Sequence, residues 1–342
     1  MISTSGHLNP KFPEVRFHRT RIFNLDILKI LLALLIVLRH IGQWFLSNNV
    51  FWHVYIINTI STIGVTSFFI MSGFLLFRKP VGKERLKKQI LRILKLYGCW
   101  TIVYLPLDIY KYLKDGLNLS QAIVDFGQKA IFDGTYYHMW YLPSLIVAIC
   151  VVYIMKNRRC ILIAVTAGLM IIGILTDTYG ISFPKIYYTI FLTTRNGLFM
   201  GSFLVAIGKC LADYESKLKN LKKWKLILPV AIAALYVEGI LISKFDSERI
   251  INIAFTTVIV SIILVTLMIG LPQIKASKNV RNMSTVIYLC HPCIMVTINL
   301  SDHLGFFFNA GVKAFISMTM SILVALAVVK LSNKFKIIDN FM

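Results

Sequence analysis

With 342 residues, 57% of them hydrophobic and only 15% charged, the chain is too apolar to fold as one to three ordinary soluble domains. A mean hydropathy of +0.72 accompanies repeated apolar runs of membrane-spanning length, so the chain reads as polytopic. The net charge of +22 does not point to nucleic acid, because Lys and Arg concentrate in short segments between the apolar runs.

Residues 1–22 are polar and basic, with Pro10 and Pro13, and are expected to form a cytoplasmic tail. The first apolar run, Ile22 to Gln43, is too long for a signal-peptide core and lacks a small-residue cleavage site, so it is kept as a membrane helix. It carries Asp26, Lys29, Arg39 and His40, and a charge at the bilayer centre costs about 2.5–3.5 kcal/mol or more. At about 100° per residue, Lys29 and His40 point within roughly 20° of each other and Asp26 joins their stripe, whereas Arg39 points about 100° away. One face of this helix therefore lines something polar. A histidine here suits general-base work, since its unperturbed pKa lies near 6.5. The plainer reading is a buried histidine bonded to a neighbouring helix.

Ten spans are expected, near 23–45, 53–77, 92–112, 138–156, 160–177, 188–208, 225–243, 250–270, 284–302 and 311–331. With the N-terminus inside, 28 of the 37 Lys and Arg fall in the inner segments and seven in the outer ones. That asymmetry predicts an all-α integral membrane protein of about ten transmembrane helices, both termini cytoplasmic, spanning 23–331 as one unit with a tail at 332–342. The segment Arg78 to Lys95 is the most charged loop, and its C-terminal side reads as an amphipathic helix. Tyr110 to Tyr137 is the one long outer loop, with turns at Asp115-Gly116 and Asp133-Gly134. The six cysteines lie within or at the ends of spans and do not read as a disulfide framework. Cys290-His291-Pro292-Cys293 has no partner pair and is not taken as a redox or metal motif.

Polar residues inside the later spans supply further candidates. His138 opens the fourth span in His138-Met139-Trp140-Tyr141-Leu142-Pro143, where it either binds an acceptor or is simply solvated, and Trp140 and Tyr141 suit an interfacial belt. The sixth span holds Thr193-Thr194-Arg195-Asn196-Gly197. Arg195 can snorkel, can pair with Glu238 of the seventh span, or can bind a phosphate, carboxylate or oxyanion together with Asn196. In the ninth span, His291 sits near mid-membrane depth beside Pro292, which breaks the local hydrogen-bond ladder and is expected to kink the helix. No phosphate-binding loop, dinucleotide glycine pattern, HExxH or GxSxG elbow occurs at a usable position.

Taken together, several motifs resemble the acyltransferase-3 family of bacterial ten-helix membrane proteins. They are Leu25-Asp26 through Lys29 to His40, Phe68 to Phe74, the basic stretch after it, His138 to Pro143, Arg195-Asn196-Gly197, and Ser284 to His291. The later pieces look especially similar to the membrane domain of vancomycin-resistance serine racemases. Their soluble racemase domain is expected to be absent, since the sequence ends at Met342.

The resemblance implies O-acyl transfer, acetyl in the usual case, from cytoplasmic acyl-CoA to an extracytoplasmic glycan or envelope polymer at the cell membrane. No metal or nucleic acid is implied. The family's essential histidine maps to His40. Its frequent arginine 11 positions earlier is here Lys29, which keeps the charge without the bidentate fork. On this reading His40, Lys29 and Asp26 form the catalytic stripe, with His40 as general base or transient acyl carrier. Lys29, Arg78 and Arg92 attract the coenzyme A phosphates, Arg195 serves the oxyanion or the acceptor, and His138 and Trp140 form the outer mouth. Asn196, Glu238 and His291 complete the expected binding residues. The competing expectation is a permease for a small amino acid such as serine, using the same cavity without covalent chemistry.

Overall fold

The computed structural model describes residues 23–45, 59–218, 222–245, 251–272, 280–303, 305 and 308–342. The expected tail at 1–22 and residues 53–58 of the expected second span lie outside the described residues. The described residues form thirteen α-helices and no strand. In chain order these are α1 Phe23–Ile41, α2 Thr59–Ser61, α3 Ile63–Phe77, α4 Lys83–Lys114, α5 Leu119–Phe132, α6 Tyr141–Met155 and α7 Arg159–Asp177. There follow α8 Lys185–Phe191, α9 Ser202–Asp213, α10 Lys222–Phe245, α11 Phe255–Gly270, α12 Val280–His303 and α13 Ala310–Ser332.

Six stretches are long and apolar enough to cross a membrane: Thr59–Phe77, Lys83–Lys114, Arg159–Asp177, Trp224–Phe245, Val280–Leu300 and Ala310–Ser332. Helices α6 and α11 are apolar but shorter. α1 has the length, and it is the charges on Asp26, Lys29 and Arg39 that set it apart from an ordinary apolar span. Each of the ten expected segments contains helix. The described residues thus form an all-helical chain with the features of a membrane protein.

Three features depart from the sequence reading. The expected span 188–208 is not one helix: α8 ends at Phe191, Leu192 adopts a positive φ of 63°, and a wide turn at Gly197–Gly201 leads into α9. The reason is local. The Asn196 side chain accepts from the Leu198 and Phe199 N–H groups at 3.0 and 3.2 Å, so it caps a new helical start where a continuous span was expected. The basic loop and the third span are one helix, α4, of 32 residues. The segment expected as the long outer loop holds a helix of its own, α5, started by reciprocal hydrogen bonds between Asn118 and Gln121. Its flanking turns fall as expected, with Gly116 and Gly134 at φ of 68° and 84°.

The core is built around α1, α3, α9 and α12, with Leu32, Phe69, Phe74, Leu204 and Leu289 fully or almost fully buried. α3 and α9 approach closely at two glycines. A Cβ on Gly73 would lie 2.3 Å from the Val205 carbonyl oxygen, and one on Gly208 would lie 2.1 Å from that of Ile70. Small residues at such a crossing let two backbones pack directly, which matters where lipid supplies no hydrophobic drive for association. Hydroxyl pairs join α3 to α11 through Thr66–Ser261 at 2.5 Å, with Thr62, just ahead of α3, reaching Thr257 at 3.0 Å. At the other end of the chain, residues 336–341 fold back onto α4, where Trp100 Nε1 donates to the Phe341 carbonyl at 3.2 Å. All six cysteines are free.

Candidate active site

Asp26 and Lys29 stand one turn apart on α1, with Lys29 Nζ 3.7 Å from Asp26 Oδ1. Both face a cavity of about 790 Å³. Basic side chains in its lining are Lys79, Arg85 and Arg92 from α4 and its approach, and Arg281 from the first turn of α12. Its more buried lining includes Tyr141, Ser284 and Tyr288, with Phe68 and Ser72 beside them. Ser72 and Tyr141 are hydrogen-bonded at 2.9 Å across α3 and α6. Arg78 also lines this space, but its guanidinium grips Glu215 with both Nε (2.6 Å) and Nη2. Of the expected phosphate-binding cations, Arg92 and Lys29 therefore face the cavity without that engagement, and Arg281 is a lining cation that sequence reasoning missed. Its position at the start of the ninth span was legible, but its convergence with α1 and α4 was not.

Beyond Tyr288 lie three histidines that the sequence keeps more than 90 residues apart. His40 from α1 stacks on His291 from α12, ring centroids 5.1 Å apart, and His138, from the turn before α6, meets His291 edge-on at 5.4 Å. Tyr137 packs against His40 at 5.0 Å and Tyr104 of α4 against His138 at 5.1 Å. Tyr288 ties cavity and cluster together: its ring is 5.5 Å from His138 and 6.3 Å from His291, and its hydroxyl donates to the His138 carbonyl. His138 and His291 are 2% and 0% exposed, so this group sits in the protein interior. Neither His138 ring nitrogen makes a hydrogen bond of full geometry, although the Leu289 backbone faces the ring. An ionisable residue buried inside a helical membrane bundle is a functional-site hypothesis by default. A solvated His138 at the mouth is thereby corrected to a buried member of the cluster.

A second polar group flanks the first. Arg39, off the His40 face, donates through Nη2 to the Ile251 carbonyl at 2.9 Å and to Asn252 Oδ1 at 3.1 Å. Arg195 Nη1 reaches the same Asn252 oxygen at 3.3 Å, its Nη2 lies 3.6 Å from Asp133 Oδ1, and its guanidinium stacks over Trp140 at 4.9 Å. Burial raises the Asp133 carboxyl above its usual range, and the adjacent Arg195 pulls the other way. The possible Arg195–Glu238 pair is not formed. Glu238 instead accepts from the Phe255 and Thr256 N–H groups at 3.0 and 2.8 Å and from the Tyr179 hydroxyl at 2.5 Å, capping the start of α11 in a separate apolar groove. Replacing Glu238 with alanine removes that cap and is expected to cost about 1 kcal/mol, read as a lower melting temperature in detergent. Asn196 is used locally, its Nδ2 donating to Tyr187 Oη at 2.7 Å and to the Thr193 carbonyl at 2.8 Å.

The acyltransferase domain of the acyltransferase-3 family matches residues 22–330. The chain belongs to that family. Its similar relatives include two proteins named amino-acid racemase from Enterococcus faecalis. One is 28% identical over 244 residues, covering 66% of this chain and 32% of that protein, and the other is 25% identical over 332 residues, covering 92% and 47%. A serine/alanine racemase from Enterococcus gallinarum is 23% identical over 253 residues, covering 68% of this chain and 35% of that protein. The chain spans less than half the length of these relatives. No solved structure matches. In this acyltransferase-3 chain the family match runs through α1, the turn before α6, and α12, so it contains all three histidines.

Proposed function

We propose that this chain is a membrane O-acyltransferase moving an acyl group, acetyl in the simplest case, from cytoplasmic acyl-CoA to a hydroxyl of an extracytoplasmic glycan or envelope polymer. The observation that carries this reading is the cavity of about 790 Å³, lined by several cations and by Tyr288, whose ring abuts His138 and His291 of the histidine group. Guanidinium and ammonium groups in its lining suit the phosphates of a nucleotide thioester. The reading takes ten membrane helices in the plasma membrane with both termini cytoplasmic, so that the basic residues lie toward the inside and His40 lies partway across, about 16 Å from Lys29 along α1 at 1.5 Å per residue. His40 acts as general base on the acceptor hydroxyl. Arg195, held by Asp133, Asn252 and Trp140, positions the acceptor on the far side.

The direct test supplies labelled acetyl-CoA to membrane vesicles containing the protein and follows free coenzyme A thiol together with alkali-labile label in envelope polymer. Both should appear in wild type, and the absence of both would sink the reading. Within it, Arg281→Ala is expected to raise the KM for acetyl-CoA about tenfold with little change in kcat, because a phosphate contact is made equally in ground and transition states.

A second reading, a permease for a small amino acid such as serine, rests on the resemblance to the membrane domain of vancomycin-resistance serine racemases, and the racemase relatives are consistent with an amino acid as ligand. Labelled serine entering vesicles without thiol release would select it.

A further inference from the structure

Pro292 has no N–H, so the helical bond that would close on the carbonyl of Tyr288, four residues earlier, is not available. His291 Nδ1 lies 2.7 Å from that carbonyl oxygen. A carbonyl only accepts, so Nδ1 carries the hydrogen, and in the neutral ring Nε2 is left as a bare lone pair. That Nε2 is buried and has no hydrogen-bond partner. A histidine kept only to repair the proline break would use Nδ1 and gain nothing from a buried, unsatisfied second nitrogen. The ring stands between two others of consequence: it stacks on His40 at 5.1 Å, and Tyr288, which lines the donor cavity, is 6.3 Å away.

We propose that His291 is a second base of the acyl transfer, holding through Nε2 the proton that passes from the acceptor hydroxyl to the coenzyme A sulfur. The inference rests on the acyltransferase reading above. In the transfer the thioester C–S bond breaks, the ester C–O bond forms, and the hydroxyl proton ends on sulfur as the free thiol. On the proposed reading donor and acceptor arrive from opposite sides of the membrane, and a pair of bases in the site can carry the proton from one to the other. His40 receives it on the acceptor side, and His291 keeps it on the side of Tyr288 and the cavity. His138 meets His291 at 5.4 Å, but no bond of full geometry sets its protonated nitrogen as the Tyr288 carbonyl sets that of His291, so it is given no such role.

The test is His291→Asn in the full-length protein in membrane vesicles. Asparagine offers a donor near the Nδ1 position for the Tyr288 carbonyl and has nothing at Nε2. Thiol release from acetyl-CoA is expected to fall about 100-fold or more at saturating donor. The KM for acetyl-CoA and the melting temperature should stay at wild-type values, a split that a purely structural role would not produce. His291→Gln serves as the second variant if the first does not reach the membrane, and the same loss is expected. Wild-type turnover in either variant would overturn the proposal while leaving the acyltransferase reading in place. If the wild-type protein itself releases no thiol, the acyltransferase reading fails first and this inference falls with it.

Discussion

His40→Ala is expected to lower acyl transfer by about 10²–10⁴-fold, the range general-base groups contribute, with the protein still reaching the membrane and melting near wild type. The expectation follows from how His40 is held. Its ring is flanked by His291 at 5.1 Å and Tyr137 at 5.0 Å, and the core of α1 is made instead by Leu25, Leu28, Leu32, Ala33 and Ile36. Removing the imidazole takes away a base without opening that core. Thiol release and label incorporation should disappear together. Activity close to wild type in a folded His40→Ala protein would remove His40 from the mechanism and shift the base role to its neighbours in the cluster.

Gly208→Val is expected to destabilise the protein by about 3 kcal/mol or more, since overpacking against an immovable neighbour is among the few single changes with large cost. The neighbour is backbone. A Cβ at position 208 would sit 2.1 Å from the Ile70 oxygen and 2.7 Å from the Phe74 nitrogen. No rotamer change relieves that contact, so α3 and α9 must move apart and break the reciprocal approach at Gly73. Phe69, Ile70, Phe74, Leu204 and Val205, all buried at this crossing, lose packing as the helices separate. α3 also carries Ser72 and leads into Arg78, so the cavity wall moves with it. Thermal unfolding in detergent reads the effect, and an unchanged melting temperature would contradict the close crossing.

Much of the architecture was legible because lipid solvent writes strongly on sequence. Each of the ten expected segments contains helix, and the turns at Gly116 and Gly134 carry the positive φ that their Asp-Gly steps suggested. The break of 188–208 into α8 and α9 was missed, because hydropathy averages over a window and does not see that one Asn196 side chain can satisfy two backbone donors. α5 was missed for a related reason: a loop assignment rested on its flanking turns, and the Asn118–Gln121 pair between them is a helix start. Arg39 had no explanation along α1, since its partner oxygens belong to Ile251 and Asn252, more than 200 residues later.

The sequence by itself determined the class of molecule, the polar stripe Asp26–Lys29–His40 and, through motif resemblance, the family. Those properties depend on hydropathy, helical period and short-range order, all of which are local. Only the tertiary structure decided which polar residues come into contact. It committed Arg78 to Glu215 and Glu238 to the start of α11, brought Arg281 to the cavity, and moved His138 from a mouth to the interior. It also gathered His40, His138 and His291 from three distant stretches into one group. Helix packing sets these contacts, and the order in which apolar helices pack is not encoded in any one helix's pattern.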